Sequence, residues 1–286
     1  MFAVTGTTGQ VGGAVARALL AAKLMVRAVV RDDAKGAPWA ARGCDIAIAE
    51  LTDVAAMTAA FSGVDGVFIL MPSNFDPEPG FPDSVRIDAA VHAALTAAKP
   101  RKVVCLSTIG AQATQPNLLN RLGLMEQTLG TLPMPVAFLR AGWFMENSKW
   151  DIAPARDTGV ISSFLQPLDK PVPMVATTDV GAVAAEMLQE NWTGRKVVEL
   201  EGPRRITPNE IAVSFSKVLE RPIRIETVPR AGWENLFRAQ GMKHPTPRMR
   251  MLDGFNESWI EFENPGYTRK GQTDFETVLR QLNRND

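Results

Sequence analysis

Gly6, Gly9 and Gly12 recur at every third residue in VTGTTGQVGGAVARALL, between a short β-branched run and an Ala/Leu-rich stretch. Glycine permits a tight turn and lets backbone N–H groups come close to a pyrophosphate. A helix starting there adds further N–H groups and a dipole that favours negative charge. The triplet, placed between a strand and a helix, indicates dinucleotide binding; a Gly-rich turn without ligand is the plainer alternative. Arg31 ends the second apolar run, VRAVVRDD, about 20 residues past the glycine loop. An acidic side chain at that place accepts from a ribose 2′-hydroxyl, whereas arginine offers a fork to a 2′-phosphate. Lys35 is near enough in sequence to assist, while Asp32 and Asp33 come one residue late and leave the strand end in another direction. The pattern predicts NADP(H) in preference to NAD(H), with NAD(H) still usable.

Side chains able to move protons are few. His92 lies in DAAVHAALTAA, an Ala-rich helical stretch, and reads as a helix-surface or core-edge residue. His244, in GMKHPTP, is a candidate proton donor to a reduced substrate by residue type, with loop packing as the alternative. The single tyrosine, Tyr267, falls in NPGYTRKG and reads as structural. Cys44 and Cys105 sit in apolar stretches and read as buried small hydrophobes, a usage that suits a reducing compartment. Two Cys and two His scattered along the chain make no zinc pattern, so no metal is expected. Trp143, Phe144 and Trp150 cluster after the sixth apolar run, as an aromatic wall for a planar ligand or as packing between lobes.

These residues need a scaffold, and the chain's pattern supplies one. Strands are predicted at Phe2–Thr5, Met25–Arg31, Cys44–Ala47, Gly66–Leu70, Lys102–Ser107 and Val136–Leu139. Helices are predicted between them, near Val11–Ala22, Ala34–Ala41, Val54–Phe61, Ser84–Ala98 and Leu118–Gly130. Strands alternating with helices of this length indicate βαβ units, hence an α/β protein with a doubly wound parallel sheet. Runs such as FAVTG, VFILM and VVCLS are apolar on both faces, as central strands covered by helices on either side are. Residues 141–175 show turn residues, aromatics and prolines with little periodicity, a candidate cover for a substrate cleft. Beyond them, TTDVGAVAAEMLQE reads as a helix and KVVELEG as a strand. ITPNEIAVSFSKVLE reads as a helix with Thr207 as N-cap and Glu210 at the capping-box spacing. PIRIETV reads as another strand, and Asn264–Gly271 as a loop.

Composition narrows the partners. Lys plus Arg and Asp plus Glu number 31 each among 286 residues, and no basic run occurs, so nucleic acid and anionic membrane are not expected partners. The opening MFAVTG has no basic region followed by an apolar one, and no apolar run is long enough for a membrane span, which predicts a cytoplasmic protein. The oligomeric state is open.

In order, VTGTTGQVG, VVRDDAKGAPWAARG, AFSGVDGVFILMP, VVCLSTIGA, FLRAGWFMEN, TTDVGAVAAEML, ELEGPRRITPNEIA and VPRAGWENLFRAQGM resemble the NmrA-like family, an atypical branch of the short-chain dehydrogenase/reductases. The resemblance spans nearly the whole chain and implies a Rossmann-type sheet with a smaller C-terminal α+β lobe and substrate between them. It implies a dinucleotide-binding domain over 1–147 and a lobe over 148–286, with the chain returning to the sheet around 171–200. By position, Thr7, Thr8, Gly9, Gln10 and Val11 would line the pyrophosphate with Gly6 and Gly12, and Arg31 would hold the 2′-phosphate. Glu50 would lie near the adenine and Met71 and Pro72 beside the adenosine ribose. Ser107 and Thr108 would sit beside the nicotinamide, and Gly142, Trp143 and Phe144 would cover its ring, with Glu146 and Asn147 shaping the pocket. The chain departs from the wider group in having no Tyr-x-x-x-Lys pair after the fifth strand. It also departs from many relatives by placing Leu122 where a lysine precedes the helix glutamate, here Glu126. Arg121 is adjacent but about 100° around a helix.

The expected activity is hydride transfer from NADPH to a small planar acceptor, a quinone foremost, because a quinone yields a delocalised anion that demands less of a general acid than an alkoxide does. Ser107, Thr108 and backbone N–H groups would steady the developing charge. The alternative is a non-catalytic NADP(H) sensor acting through a protein partner, which the missing tyrosine and Leu122 favour. An epimerase or dehydratase is disfavoured because it too needs the absent tyrosine.

Overall fold

Alternating apolar runs and helical stretches build one large parallel sheet in the computed structural model, which describes residues 1–284. Residues 285 and 286, the last two of the expected lobe, lie outside the described residues. The first half runs β1 (Phe2–Thr5), α1 (Gln10–Ala21), β2 (Val26–Val30), α2 (Asp33–Ala40), β3 (Asp45–Ile48), α3 (Val54–Phe61), β4 (Gly66–Ile69), α4 (Pro82–Ala98), β5 (Val103–Thr108), α5 (Asn120–Leu129) and β6 (Val136–Ala141). The second half runs β7 (Trp143–Phe144), α6 (Lys149–Thr158), β8 (Val160–Ser163), β9 (Met174–Val175), α7 (Thr177–Gln189), β10 (Arg195–Glu201), α8 (Pro208–Leu219), β11 (Arg224–Thr227), α9 (Trp233–Ala239), α10 (Thr246–Glu257), β12 (Arg269–Lys270) and α11 (Phe275–Arg284).

The main sheet has the order β12-β10-β6-β5-β4-β1-β2-β3 with every neighbour parallel. Its strands alternate between two helical layers. Phe2 and Val4 face a core built with Val15 and Leu19 of α1 and Val183 and Leu188 of α7. Ala3, Val67, Ile69 and Cys105 face the opposite core, with Phe61 of α3, Leu95 of α4 and Met125 of α5. This is the Rossmann-type architecture, and burial on both faces explains why its strands read as unbroken apolar runs. Gly181 lets α7 lie against α1: a Cβ there would fall 2.4 Å from the Ala14 side chain.

A third core, with Phe215, Trp233, Phe237, Phe255 and Phe275, belongs to the C-terminal helices and the small β8–β11 pair. The stretch 141–175 contains α6, β7, β8 and β9, although its sequence carries little period. Pro154 inside α6 breaks the apolar repeat and removes one helical hydrogen bond, and strands of two residues have no period to read. Within the predicted loop Asn264–Gly271, Arg269–Lys270 pairs with Leu200 and Glu201 as the edge strand β12, where a basic pair, Arg269 partly exposed and Lys270 exposed, suits a sheet edge.

Candidate functional site

Reversal of the strand order places a crevice at the carboxyl end of β1. The chain leaves β1 toward β2 and β3 on one side, and β4, β5 and β6 continue on the other. Ligands of open α/β sheets bind at such a switch point. Two surface hollows, of about 280 Å³ beside Arg156 and Glu220 and about 320 Å³ beside Phe2 and Lys102, lie elsewhere. The second borders the amino ends of the strands, away from the crevice.

The loop after β1 is shaped by its glycines for different reasons. Gly6 has φ +67°, which glycine adopts without strain, and the Gly9 N–H donates to the Gly6 carbonyl at 2.9 Å to close the turn. Gly12 must lack a side chain because a Cβ would fall 2.3 Å from the Gly6 oxygen. Gly9 is different. Its backbone is extended (φ −95°, ψ 179°), and an added Cβ would meet its nearest neighbour at an ordinary 3.4 Å. Packing within the chain therefore does not demand glycine at 9, whereas close approach by a ligand would. Thr8, Gly9 and Gln10 are exposed, Val11 is buried, and α1 begins with no side-chain cap and no acidic residue in its first turn. Its leading N–H groups thus face outward with the positive end of the helix dipole. Thr7 is 2% exposed and its hydroxyl is buried without a partner. A cradle of free donors, an unpartnered hydroxyl and a bare Gly9 fits a pyrophosphate.

The neighbouring strand ends add to it. Thr5 Oγ1 donates to the Phe68 carbonyl and accepts from the Leu70 N–H, fastening β1 to the turn after β4. Met71 is buried there and Pro72 exposed, and the Pro72 carbonyl accepts from Arg121 at 2.8 Å. Arg31 is exposed at the end of β2 and has no hydrogen-bond or ion-pair partner among the described residues. Lys35 is instead engaged by Asp32, the N-cap of α2, which accepts from its backbone N–H at 2.9 Å and its ammonium at 2.7 Å. Those hydrogen bonds hold the Asp32 carboxyl below its ordinary range. Glu50 is exposed just beyond β3.

The residues expected to carry chemistry separate. Ser107 is 3% exposed and donates to Glu126 Oε1 at 2.6 Å. Arg140 grips both oxygens of Glu126 at 2.9 and 2.7 Å, Arg195 reaches it at 3.2 Å, and Arg140 also pairs with Glu263 at 2.8 Å. Ser107 was expected beside the nicotinamide; its hydroxyl is instead committed to this buried ion network. The signal was in the strand's alternation, since Ser107 shares parity with Val103 and Cys105 of the α3–α5 core. Thr108 has the other parity, is partly exposed, and its side chain has no hydrogen-bond partner among the described residues. Leu122 packs on the core of its helix layer, while the adjacent Arg121 is long enough to reach the crevice.

Beyond β6 the chain turns sharply. Gly142 donates to the Leu200 carbonyl at 2.9 Å, and a Cβ on it would lie 2.6 Å from the Pro173 oxygen. Trp143 and Phe144 are partly exposed, and Trp143 meets Phe255 edge-on at 5.3 Å. Trp150 is not in that cluster: it is 73% exposed, with the Lys149 ammonium over its ring at 4.4 Å. Glu146 accepts from the Thr177 N–H at 2.8 Å and hydroxyl at 2.6 Å, so it caps α7. Its other oxygen is buried without a partner, and burial pushes its carboxyl up. Asn147 is exposed. His244 offers its backbone: Asp76, in the loop after β4, accepts from the N–H groups of Lys243 at 2.8 Å and His244 at 2.6 Å. His92 pairs with the Thr131 hydroxyl at 3.0 Å, and Tyr267 is 93% exposed on a short 3-10 turn. Arg248 and Asp88, both desolvated, were not anticipated from sequence, because an isolated charged residue on a helix carries no local sign of burial.

Residues 1–258 match the NmrA-like family. The NAD(P)H azoreductase of Xenophilus azovorans is 30% identical over 259 residues, covering 90% of this chain and 85% of that protein. Quinone oxidoreductase 2 of Escherichia coli strain K12 is 26% identical over 244 residues, covering 85% and 82%. The crystal structure of the Citrobacter sp. triphenylmethane reductase complexed with NADP(H) superposes with a TM-score of 0.80 at 20% identity, over 98% of this chain and 99% of that one. The family match over residues 1–258 and the 30% identity along most of the length agree, and the chain belongs to the NmrA-like family.

Proposed function

We propose that this chain is an NADPH-dependent reductase of small planar acceptors, quinones foremost. The observation that carries the reading is the anion cradle at the switch point: Gly9 bare without an internal reason, an uncapped α1 and an unpartnered Thr7 hydroxyl. The named activities of the azoreductase and quinone oxidoreductase relatives supply the reaction class. The sensor reading has no support among the curated relatives, which are named as enzymes.

In this reading Gly6–Gly12 and Thr7 hold the pyrophosphate, Arg31 the 2′-phosphate, and Met71 and Pro72 flank the adenosine ribose. A bound reduced nicotinamide supplies hydride. Trp143 and Phe144 give the planar acceptor an apolar wall, and the Thr108 hydroxyl donates to the oxyanion that develops on it. The delocalised anion of a reduced quinone needs no strong acid at that point, consistent with a crevice that lacks tyrosine. Residues 1–147 act as the nucleotide-binding part and the lobe from 148 onward as the acceptor side. Cys44 and Cys105, buried free thiols, suit a cytoplasmic setting, and no helix among the described residues is long and apolar enough to cross a membrane. Steady-state assays test the reading: the protein should consume NADPH with simple quinones and fail to oxidise secondary alcohols with NADP. Robust alcohol oxidation would overturn the mechanism.

A further inference from the structure

Arg248, at the third position of α10, is an arginine without an acid. Its guanidinium lies 4.6 Å from the Phe237 ring centre and 5.8 Å from that of Phe75, and its one hydrogen bond is a weak 3.7 Å contact to Met242 Sδ. Among the described residues no carboxylate comes within ion-pair distance of it. Other arginines nearby are paired: Arg230 and Arg250 share Asp253 at 2.6 and 3.2 Å, and Arg238 takes Glu234 at 2.9 Å. Burial lowers the pKa of Arg248 with no acid opposing the shift. Two aromatic faces offset only part of the cost of desolvating a guanidinium. An unpaired cation in such surroundings suits an external anion.

Its position says which anion. Phe75 belongs to the loop that leaves the crevice after β4, and Asp76 clasps that loop to Lys243 and His244 in the lobe. The Pro247 carbonyl, next to Arg248, accepts from the Leu118 N–H just ahead of α5. Arg248 therefore stands where the nucleotide-binding part and the lobe meet, beside a half-exposed aromatic ring. Asp76, an acid on the facing loop, is occupied by two backbone N–H groups. We propose that Arg248 is a specificity-determining residue that selects planar acceptors bearing an anionic substituent, a carboxylate or sulfonate, with Phe75 against the acceptor ring. This rests on the reductase reading above.

The test compares a naphthoquinone with its ring-sulfonated derivative in wild type, Arg248→Gln and Arg248→Lys. Arg248→Gln should lower kcat/KM for the sulfonated acceptor about tenfold or more, chiefly through KM, and leave the neutral one within about twofold. Arg248→Lys should recover part of the loss, and added salt should weaken the sulfonate preference of the wild type alone. Thermal melts of the three proteins separate a folding defect from a binding one. Equal losses on both acceptors, or none, would overturn the assignment. If the wild type consumes NADPH with neither, the reductase reading fails on its own account. Quenching of tryptophan fluorescence by naphthalene sulfonate in NADP-saturated protein then decides about Arg248: weaker binding in Arg248→Gln supports it, and equal Kd in both proteins overturns it.

Discussion

Arg31 and Ser107 both stand near the carboxyl ends of sheet strands, yet only Arg31 is left free to meet a ligand. If Arg31 holds the 2′-phosphate as proposed, Arg31→Asp would remove a charge-assisted contact and add repulsion. Because the site is exposed, screening holds the expected loss near the low end, about tenfold in NADPH affinity or ~1.4 kcal/mol. Fluorescence titration checks this, and equal wild-type Kd values for NADPH and NADH would contradict the role given to Arg31. Ser107→Ala should act on stability: losing a buried hydrogen bond to an ionised carboxylate costs about 1.5–3 kcal/mol, read by urea denaturation, with quinone turnover little changed. Thr108→Val should do the reverse, slowing turnover about tenfold with little loss of stability. A Ser107→Ala protein that is as stable as wild type but slow would return Ser107 to the crevice. The place of Arg31, exposed at the end of β2, was readable in the sequence because strand ends are regular in this architecture. It misplaced Ser107 because residue type was weighed above strand parity, which Val103 and Cys105 already revealed.

At the scale of the element, the glycine loop and α1 make separable demands. Gly9→Val should give a folded protein that no longer binds dinucleotide, since the backbone there is extended, a Cβ comes no closer than 3.4 Å to the chain, and the bulk would lie in the proposed phosphate cradle. Gly12→Ala should lower stability as well, because its Cβ would strike the Gly6 carbonyl. Circular dichroism melts beside cofactor titrations distinguish the two, and retained binding in Gly9→Val would mean the loop is not the phosphate cradle. Long elements with caps were readable in advance. Thr207 and Glu210 form both bonds of the capping box, at 3.1 and 2.8 Å, as their spacing implied. The same reasoning overlooked α6, where Pro154 disguises a helix, and the two-residue strands β7, β9 and β12, whose pairing depends on partners distant in sequence.

At the scale of the molecule, the parallel sheet was legible from alternation, and the cleft only through the family resemblance, but the contacts between the loop after β4 and the C-terminal helices were not. Those contacts involve single residues such as Asp76 and Arg248, which look like ordinary surface charges in the sequence. Asp88 is the clearest case with a global consequence. It is 2% exposed on α4, one of its oxygens has no partner, and burial pushes its carboxyl up to about 7 against the opposing pull of Arg121. The folded protein thus keeps a proton that the unfolded chain gives up near pH ~4. Asp88 favours folding fully below that pH, and the contribution is lost as pH rises through about 7, a span worth roughly 3–4 kcal/mol. Asp88→Asn should flatten that part of the stability–pH curve measured by denaturant titration, and identical slopes in the two proteins would contradict the burial argument. The central claim is that the switch-point crevice delivers hydride from NADPH to a planar acceptor. It is tested most directly by mixing the protein, loaded with stoichiometric NADPH, with a quinone in anaerobic stopped flow. The account predicts loss of the reduced-nicotinamide absorbance, one cofactor oxidised per quinone reduced, and far slower loss in Gly9→Val. Tight NADPH binding with the absorbance unchanged in the presence of every quinone tried would contradict it.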